Sequence, residues 1–364
     1  MIKPPDYISA IKPYVPGKPV EELERELGIK GSVKLASNEN PSGPSTKAVK
    51  AIFESLMRLN PENSLNRYPD GSGYYLTKAL SEKLSVREEE IILGNGSNEL
   101  LDMAVRTFLQ PGDEAIMAHP SFVVYSMSVQ AQGGTPVRIP LKEYAHDLDA
   151  MTDAVTPRTK IVFIANPNNP TGTINKKDEF DRMMRRIPDN ILVVVDEAYF
   201  EYVADPDYAD SMKHFREGRD VLVLRTFSKI YGLAGLRIGY GIANRNITVE
   251  MNKLRPPFNT STMAQKAALS ALGDEDHLKS SRIINEQGKA YLYEELNALG
   301  IKYVPTEANF IYMPLEHDAG ELYHKLLKEG IIVRPMGPRE IRVTIGLQEE
   351  NTRFIEALKK VIGR

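Results

Sequence analysis

The chain has 364 residues, of which 42% are hydrophobic and 26% charged, and its formal net charge is -3. These values are typical of a globular chain with room for two domains, and they argue against a dedicated nucleic-acid binder, which usually carries a basic surface. Because the sequence contains no cysteine, disulfides, thiolate metal sites and a cysteine nucleophile are excluded, and the spacing of the six histidines predicts no metal site.

Residues 1–40 are predicted to form an extended arm that joins the C-terminal part of the protein. Prolines recur through "IKPYVPGKP", which disfavours regular structure there. The first residues lack the apolar core of a signal peptide, and no apolar run of 18 residues follows. We therefore expect no membrane span and a cytoplasmic location.

Residues 41–260 are predicted to form a large α/β domain. Short apolar runs alternate with amphipathic helical patterns such as "SNELLDMAVRTFL" at 97–109, which indicates a mostly parallel sheet covered by helices on both faces. The predicted strands are 90–94, 114–118, 160–165, 191–197, 220–226 and 237–243. Residues 261–364 contain "IKYVPTEANFIYMPL", predicted as two short strands, then a helix, the strands "IIVRP" and "EIRVTIG", and a final helix. This order favours a smaller α+β domain.

Two charged residues follow predicted strands of the large domain. Asp196 ends the run "ILVVVD", and Lys229 follows "DVLVLRTFS". In open α/β sheets, ligands bind at this edge, although Asp196 could instead cap a helix or form a local salt bridge, and Lys229 could extend to solvent. A lysine nucleophile with an acid partner for a pyridinium nitrogen is what pyridoxal phosphate requires.

A phosphate site is predicted near the segment "GNGSNE". Gly94 and Gly96 precede a helix that starts near Ser97, where free backbone N–H groups favour an anion. The segment lacks the third glycine of the dinucleotide-binding motif, and Ser97 could equally be a simple helix cap. Ser228 and Arg237 would complete the site with a hydroxyl and a guanidinium group.

Three further residues suit the same ligand. Asn166 and Tyr199 could donate to a ring oxygen of the cofactor, and the face of Phe122 could stack on its pyridine ring. Taken alone, Asn166 could be only a turn residue and Phe122 only a core residue.

The sequence resembles the fold-type-I, pyridoxal-phosphate-dependent aminotransferases, and specifically the histidinol-phosphate aminotransferases. The resemblance covers nearly the whole chain and is carried by "IKPYVPGKP", "KLASNENPSGPS", "RYPDGSG", "NPNNPTGT", "VVDEAYFEY" and "RTFSKIYGLAGLRIGY". It implies a homodimer with no nucleic-acid partner and no metal. It also implies transamination between L-histidinol phosphate and 2-oxoglutarate in histidine biosynthesis.

The resemblance also implies roles for individual residues. Lys229 would bind the cofactor aldehyde and move protons, Asp196 would contact the pyridine nitrogen, and Tyr199 would assist catalysis. The other implied cofactor contacts are Ser97, Asn98, Phe122, Asn166, Ser228, Arg237 and, from the neighbouring subunit, Tyr68. The implied substrate contacts are Tyr14, Asn38, Arg334 and Arg342, although the two arginines could also be surface salt-bridge residues.

Other functions remain open at this point. An aromatic amino acid aminotransferase would use the same Lys229 and Asp196, so these residues cannot separate the two activities. A threonine-phosphate decarboxylase of the same fold is less favoured because "IKPYVPGKP" and "RYPDGSG" match the aminotransferases better. A transcription regulator built on this fold would need an added DNA-binding domain, for which the sequence has no spare segment.

Overall fold

Alternating helices and strands run through the computed structural model, which describes residues 2–57 and 66–363. The strands are β1 Val33–Lys34, β2 Ile91–Gly94, β3 Glu114–His119, β4 Thr135–Pro140, β5 Thr159–Ala165, β6 Leu192–Asp196, β7 Val221–Thr226, β8 Gly239–Ile242, β9 Phe310–Pro314, β10 Ile331–Ile332, β11 Arg334–Gly337 and β12 Glu340–Thr344. The helices are α1 Asp6–Ser9, α2 Val20–Leu27, α3 Thr46–Met57, α4 Tyr74–Leu84, α5 Ser97–Phe108, α6 Val124–Ala131, α7 Leu148–Asp153, α8 Lys177–Arg186, α9 Ser211–Arg216, α10 Arg245–Asn252, α11 Thr262–Leu272, α12 Glu275–Ala298, α13 Ala319–Lys328 and α14 Gln348–Ile362.

The largest sheet in the described residues has seven strands in the order β2-β8-β7-β6-β5-β3-β4. The neighbours from β7 through β4 are parallel, whereas β8 is antiparallel to both β7 and β2. Successive residues of a central strand enter different cores: Val193 and Val195 belong to one apolar cluster and Val194 to the other. Both faces of the sheet are therefore covered, and the predicted α/β class with a mostly parallel mixed sheet is confirmed.

The edge strand β4 was not predicted from the sequence. It contains Pro136 and Pro140, and its side chains are exposed or partly buried rather than fully buried. Proline cannot donate to a sheet ladder and is therefore tolerated at an edge, where one side of the strand has no partner. The signal used for the other strands, a continuous buried apolar run, is absent here.

The C-terminal residues form a second, three-stranded antiparallel sheet in the order β11-β12-β9. The prediction of two strands in 301–315 was wrong in part, because Val304 forms only an isolated bridge with Tyr312 before β9 begins. Pro305 follows Val304 and has no N–H with which to extend a ladder. The prediction of one strand in "IIVRP" was also wrong, since the chain changes sheets at Val333 between β10 and β11.

The N-terminal arm is connected to the C-terminal residues by a short parallel pairing. Val33 and Lys34 of β1 lie opposite Ile331 and Ile332 of β10. Leu23 of α2 is buried in a small apolar cluster with Ile332. This pairing brings the segment that follows β1 to the carboxyl edge of the large sheet. The proposed division of the chain at residues 40 and 260 remains a prediction.

Candidate active site

A cavity of about 290 Å³ lies at the carboxyl ends of β5, β6 and β7. Most residues predicted for the cofactor and substrate line it: Tyr14, Asn38, Ser97, Asn98, Phe122, Asp196, Tyr199, Ser228, Lys229, Arg237 and Arg342. Its volume suits a small organic ligand. Asn166, Tyr68 and Arg334 are not among the residues that line it.

Asp196 is buried at the end of β6, and three contacts hold it. Its Oδ2 accepts a hydrogen bond from the hydroxyl of Tyr125 at 2.8 Å, and its Oδ1 accepts one from the backbone N–H of Ala198 at 3.2 Å. Its backbone carbonyl accepts from the N–H of Asn166 at 3.0 Å. Burial raises the pKa of Asp196, and the Tyr125 hydroxyl opposes this effect. The carboxyl group is thus fixed at the cavity wall, with a preference for a cationic or proton-donating ligand.

Lys229 follows β7 and faces the same cavity. Its Nζ donates to the backbone carbonyl of Ser37 at 3.1 Å and lies 5.6 Å from the ring centroid of Tyr199. Burial lowers the pKa of Lys229 to about 8, and the positive charge of Arg342 contributes in the same direction. A useful fraction of the amine is therefore neutral near physiological pH, as a nucleophile for a carbonyl group must be.

One end of the cavity is built to hold an anion. Helix α5 begins at Ser97 with no side-chain cap, so its first N–H groups remain available. Arg237 lies against Gly96 so closely that a Cβ there would be 2.3 Å from Nη2 of the arginine, and Arg237 Nη1 donates to Ser228 Oγ at 3.1 Å. Glycine is required at 96, because its φ is +79° and the arginine occupies the space of a side chain.

A second cation lines the same cavity from β12. Arg342, on β12, is 7% exposed and donates to Asn169 Oδ1 at 2.5 Å and to the carbonyl of Ala36 at 2.8 Å. Its Nε is buried without a hydrogen-bond partner among the described residues. The guanidinium group lines the cavity, where its charge can attract an acidic ligand. Arg334 lies further out, where it donates to the carbonyl of Val15 at 2.5 Å and contacts the ring of Tyr14.

Asn38 joins the arm to both sheets. Its Nδ2 donates to the Tyr199 hydroxyl at 2.8 Å, and its backbone N–H donates to Thr344 Oγ1 at 2.9 Å across 306 positions of sequence. Burial raises the pKa of Tyr199 to about 12, so the phenol remains protonated at neutral pH. Asn38 thus holds Tyr199 at the cavity, and its left-handed backbone (φ 56°) is one that asparagine tolerates better than most residues.

The loop "NPNNPTGT" places a different asparagine at the cavity from the one predicted. The side chain of Asn166 turns away, because its Oδ1 accepts from the backbone N–H of Asn175 at 2.9 Å and its Nδ2 donates to the Asn175 carbonyl at 3.2 Å. Asn169 lines the cavity instead. The amide of Asn166 therefore fixes the loop, and its predicted contact with the ring oxygen remains a prediction.

Tyr68 also lies outside the cavity of its own chain. It is 81% exposed and stacks on Phe258 with 4.5 Å between ring centroids. Phe258 is itself 47% exposed. This pair presents an apolar surface to solvent, and the predicted contact of Tyr68 with a neighbouring subunit's cofactor remains a prediction.

Sequence reasoning missed five polar residues that line the cavity: Ser37, Glu39, Tyr125, Asn169 and Thr226. Thr226 ends β7, and its Oγ1 accepts from the N–H of Ser228 at 3.1 Å. Tyr125 lies in the first turn of α6, three positions after Phe122, and its backbone N–H donates to the Phe122 carbonyl at 3.1 Å. That spacing was the available signal for Tyr125. The signal for Asn169 was its place in the same loop motif.

In the described ranges, no cluster of acidic or histidine side chains could hold a metal ion. None of the helices in residues 2–57 and 66–363 is long and apolar enough to cross a membrane.

Comparison with known proteins agrees with this geometry. The chain is 49% identical over 361 residues to the histidinol-phosphate aminotransferase of Moorella thermoacetica, covering 98% of this chain and 92% of that one. It is 46% identical to histidinol-phosphate aminotransferase 1 of Nitrosococcus oceani, covering 98% and 95%. The crystal structure of histidinol-phosphate aminotransferase from Sinorhizobium meliloti in complex with pyridoxal-5'-phosphate matches with a TM-score of 0.90 at 26% identity, covering 100% and 98%.

Residues 30–358 match the family described as aminotransferase class I and II. The match includes both sheets and nearly all the residues that line the cavity. This chain belongs to the class I and II aminotransferase family.

Proposed function

We propose that this protein transfers the amino group of L-histidinol phosphate to 2-oxoglutarate, giving imidazole acetol phosphate and L-glutamate, with pyridoxal phosphate as cofactor. The observation that carries the proposal is a single cavity lined by Lys229, Asp196 and two guanidinium groups, that of Arg237 beside the start of α5 and that of Arg342 on β12. The names of the most similar relatives support the choice of substrate.

The residues present fit the cofactor. The uncapped start of α5, the guanidinium group of Arg237 and the hydroxyl of Ser228 form a cradle for a phosphate, and Gly96 leaves it open. Phe122 supplies an aromatic face at the cavity wall, and Asp196 supplies a buried carboxyl group. The cradle and the carboxyl group suit the phosphate and the ring nitrogen of one ligand.

When bound, pyridoxal phosphate supplies an electron sink that stabilises the carbanion formed when an amino acid loses its α-proton. The protein contributes proton positions and charge. Asp196, as a carboxylate, holds a proton on the ring nitrogen, which increases the electron demand of the ring. Lys229 would hold the cofactor through its aldehyde and, once the substrate amine has replaced it there, the freed lysine amine would accept and return the proton of the substrate α-carbon. Its lowered pKa, about 8, suits both tasks.

The ring oxygen would be held by Tyr199 and Asn169. Tyr199 keeps its proton because burial raises its pKa to about 12, and Asn38 fixes the direction of the hydroxyl. Asn169 is aligned by its bond to Arg342. These contacts limit rotation of the ring, so that the substrate α-carbon meets Lys229 in one orientation.

The substrate acids would be bound by the arginine side of the cavity. The guanidinium group of Arg342 lines the cavity and can donate to a carboxylate or to a phosphate ester, and Arg334 lies at the outer edge beside Tyr14. A planar guanidinium group matches both anions, so one site can accept glutamate and histidinol phosphate in turn.

The proposal includes a homodimer. The exposed pair of Tyr68 and Phe258, together with exposed apolar residues of α3 such as Phe53, offers a surface for a second copy. In such a dimer, Tyr68 is free to reach the partner's cofactor phosphate. A cytoplasmic location remains a prediction of the sequence.

The test is a single-turnover measurement on protein loaded with pyridoxal phosphate. Histidinol phosphate, histidinol, glutamate and phenylalanine are added separately, and amino transfer to the bound cofactor is followed by absorbance. Fast conversion by histidinol phosphate and glutamate, with little from histidinol, is the expected result. A preference for phenylalanine would contradict the proposed substrate, and carbon dioxide release would indicate a decarboxylase. The relatives that are 46–49% identical to this chain are named histidinol-phosphate aminotransferases. These names favour neither the aromatic aminotransferase nor the decarboxylase.

A further inference from the structure

Tyr125 occupies a position behind the cofactor site that the proposed chemistry does not yet use. It is 1% exposed at the start of α6, and its hydroxyl makes a 2.8 Å hydrogen bond to Asp196 Oδ2. Its ring lies parallel to that of Phe163 on β5, with 4.9 Å between centroids and 3° between planes. The edge of the Phe122 ring meets it at 5.6 Å and 84°.

Resting on the function proposed above, we propose that Tyr125 is a positioning residue that keeps Asp196 charged and oriented while its ring supports Phe122. One buried side chain then sets two of the contacts that a cofactor ring would receive. Tyr125 forms part of the cavity wall, and in this assignment it acts through Asp196 and Phe122.

The charge on Asp196 needs such a donor. The carboxyl group is buried, and burial raises its pKa toward the neutral form. Among the described residues Asp196 has no ion pair within salt-bridge distance, so no fixed cation compensates it. The Tyr125 hydroxyl is the foremost group that lowers this pKa, ahead of the N–H of Ala198 and the charge of Lys229, while Glu197 acts in the opposite direction.

A neutral donor has a specific advantage at this place. A permanent arginine or lysine bonded to Asp196 would stabilise the carboxylate but would also cancel its field at the ring nitrogen. A phenol stabilises the charge without cancelling it. Burial beside Asp196 raises the pKa of Tyr125 well above its ordinary value, so the hydroxyl stays protonated and can only donate its proton to this bond.

The rings fix the direction of this bond. The parallel contact with Phe163 prevents the tyrosine ring from tilting, and Phe163 is itself fully buried in the sheet. A locked donor loses little conformational freedom when it bonds, so more of the hydrogen-bond energy is available to Asp196.

The test compares Tyr125→Phe with Tyr293→Phe. Both changes remove a phenol oxygen engaged in a 2.8 Å hydrogen bond, but Tyr293 accepts from the N–H of Thr306 and does not line the cavity. We expect Tyr125→Phe to lower kcat about ten- to hundredfold, because the variant loses one hydrogen bond to a charged group. KM should change less. We expect Tyr293→Phe to leave kcat unchanged. Equal kcat values for the two variants would overturn the proposal.

A second readout does not depend on activity. In the cofactor-free protein, the titration of the Asp196 carboxyl group is followed by carbon-13 NMR after isotopic labelling. Lys229, Glu197 and Tyr199 also interact electrostatically with this group, and they are unchanged in the variants. Tyr125→Phe should raise the carboxyl pKa, and 3-fluorotyrosine at 125, a stronger donor that keeps the ring, should lower it. No change in either variant would overturn the proposal. If the wild-type protein fails to bind pyridoxal phosphate, the proposed function is wrong, yet this titration still tests the Tyr125 bond.

A double-mutant cycle separates positioning from general packing. If Tyr125 acts through Asp196, the effect of Tyr125→Phe on kcat and on cofactor affinity should shrink to under about twofold in an Asp196→Asn background. The same loss in both backgrounds would mean that the hydroxyl acts independently of Asp196, and would contradict the assignment.

Discussion

The buried charge on Lys229 makes a stability prediction that can be worked out from its surroundings. In the folded protein burial lowers the lysine pKa from 10.5 to about 8. A base whose pKa is lower in the folded state than in the unfolded state destabilises the folded protein. The full penalty applies at pH values below the folded-state pKa, and it disappears above the unfolded-state pKa. The penalty is about 3 kcal/mol at pH 7 and about 1 kcal/mol at pH 9.5.

Lys229→Met removes this charge at similar volume. The variant also loses the hydrogen bond to the Ser37 carbonyl, which is worth about 1 kcal/mol. The free energy of unfolding of the cofactor-free protein should therefore rise by about 2 kcal/mol at pH 7 and by almost nothing at pH 9.5. The same variant should lose covalent cofactor attachment and all transamination. The buried amine of Lys229 therefore lowers the free energy of unfolding, and the same burial makes the amine reactive.

Equilibrium urea unfolding at the two pH values measures the effect. Lys302→Met is the control, because this lysine side chain is 76% exposed and its removal should change stability little at either pH. If Lys229→Met is no more stable than the wild type at pH 7, or equally more stable at both pH values, the reasoning about the buried amine is refuted.

Three other changes test the cofactor site and the dimer. Asp196→Asn should lower kcat by about a hundredfold or more while the fold is retained, because the amide cannot hold a proton on the ring nitrogen; steady-state kinetics and thermal melting measure both effects. Gly96→Ala should weaken pyridoxal phosphate binding, since its Cβ would lie 2.3 Å from Arg237 Nη2 and its φ of +79° disfavours alanine; equilibrium titration measures this. Mixed dimers of Tyr68→Phe and Lys229→Ala chains should regain activity that neither parent has, because one site in each hybrid would contain both wild-type residues.

Each of these tests has a contradicting result. An unchanged rate in Asp196→Asn would remove Asp196 from its role. Gly28→Ala is the control for Gly96, because it shares the left-handed backbone (φ +66°) but has nothing within 4 Å of the added Cβ. Equal cofactor affinity in the two glycine variants would refute the cradle. If mixtures of the Tyr68 and Lys229 variants recover no activity, Tyr68 does not contribute to the active site of a partner subunit.

The strands of the large sheet could be predicted because their chemistry is uniform. Strands such as β6 and β7 are buried on both faces, so their sequences are continuous apolar runs that end where polar site residues begin. The positions of Asp196 and Lys229 followed from that rule alone. The edge strand β4 carries no such run, and sequence reasoning missed it for that reason.

The contacts that depend on side-chain direction could not be predicted in the same way. "NPNNPTGT" offers Asn166, Asn168 and Asn169, and only the folded loop shows that the amide of Asn166 bonds to Asn175 while Asn169 lines the cavity. Tyr125 likewise resembled an ordinary core residue. The role of its hydroxyl depends on the hydrogen bond to Asp196, which lies 71 positions away in the chain.

The bond between Asn38 and Thr344 has a consequence for how the protein is made on the ribosome. These residues are separated by 306 positions, so the segment that carries Asn38 is synthesised early and waits for β12 to emerge. Until then, the part of the cavity wall that Arg342 forms does not exist, although Lys229 and Arg237 have already been synthesised. The cavity is therefore complete only after β12 has been synthesised, more than one hundred positions after Lys229.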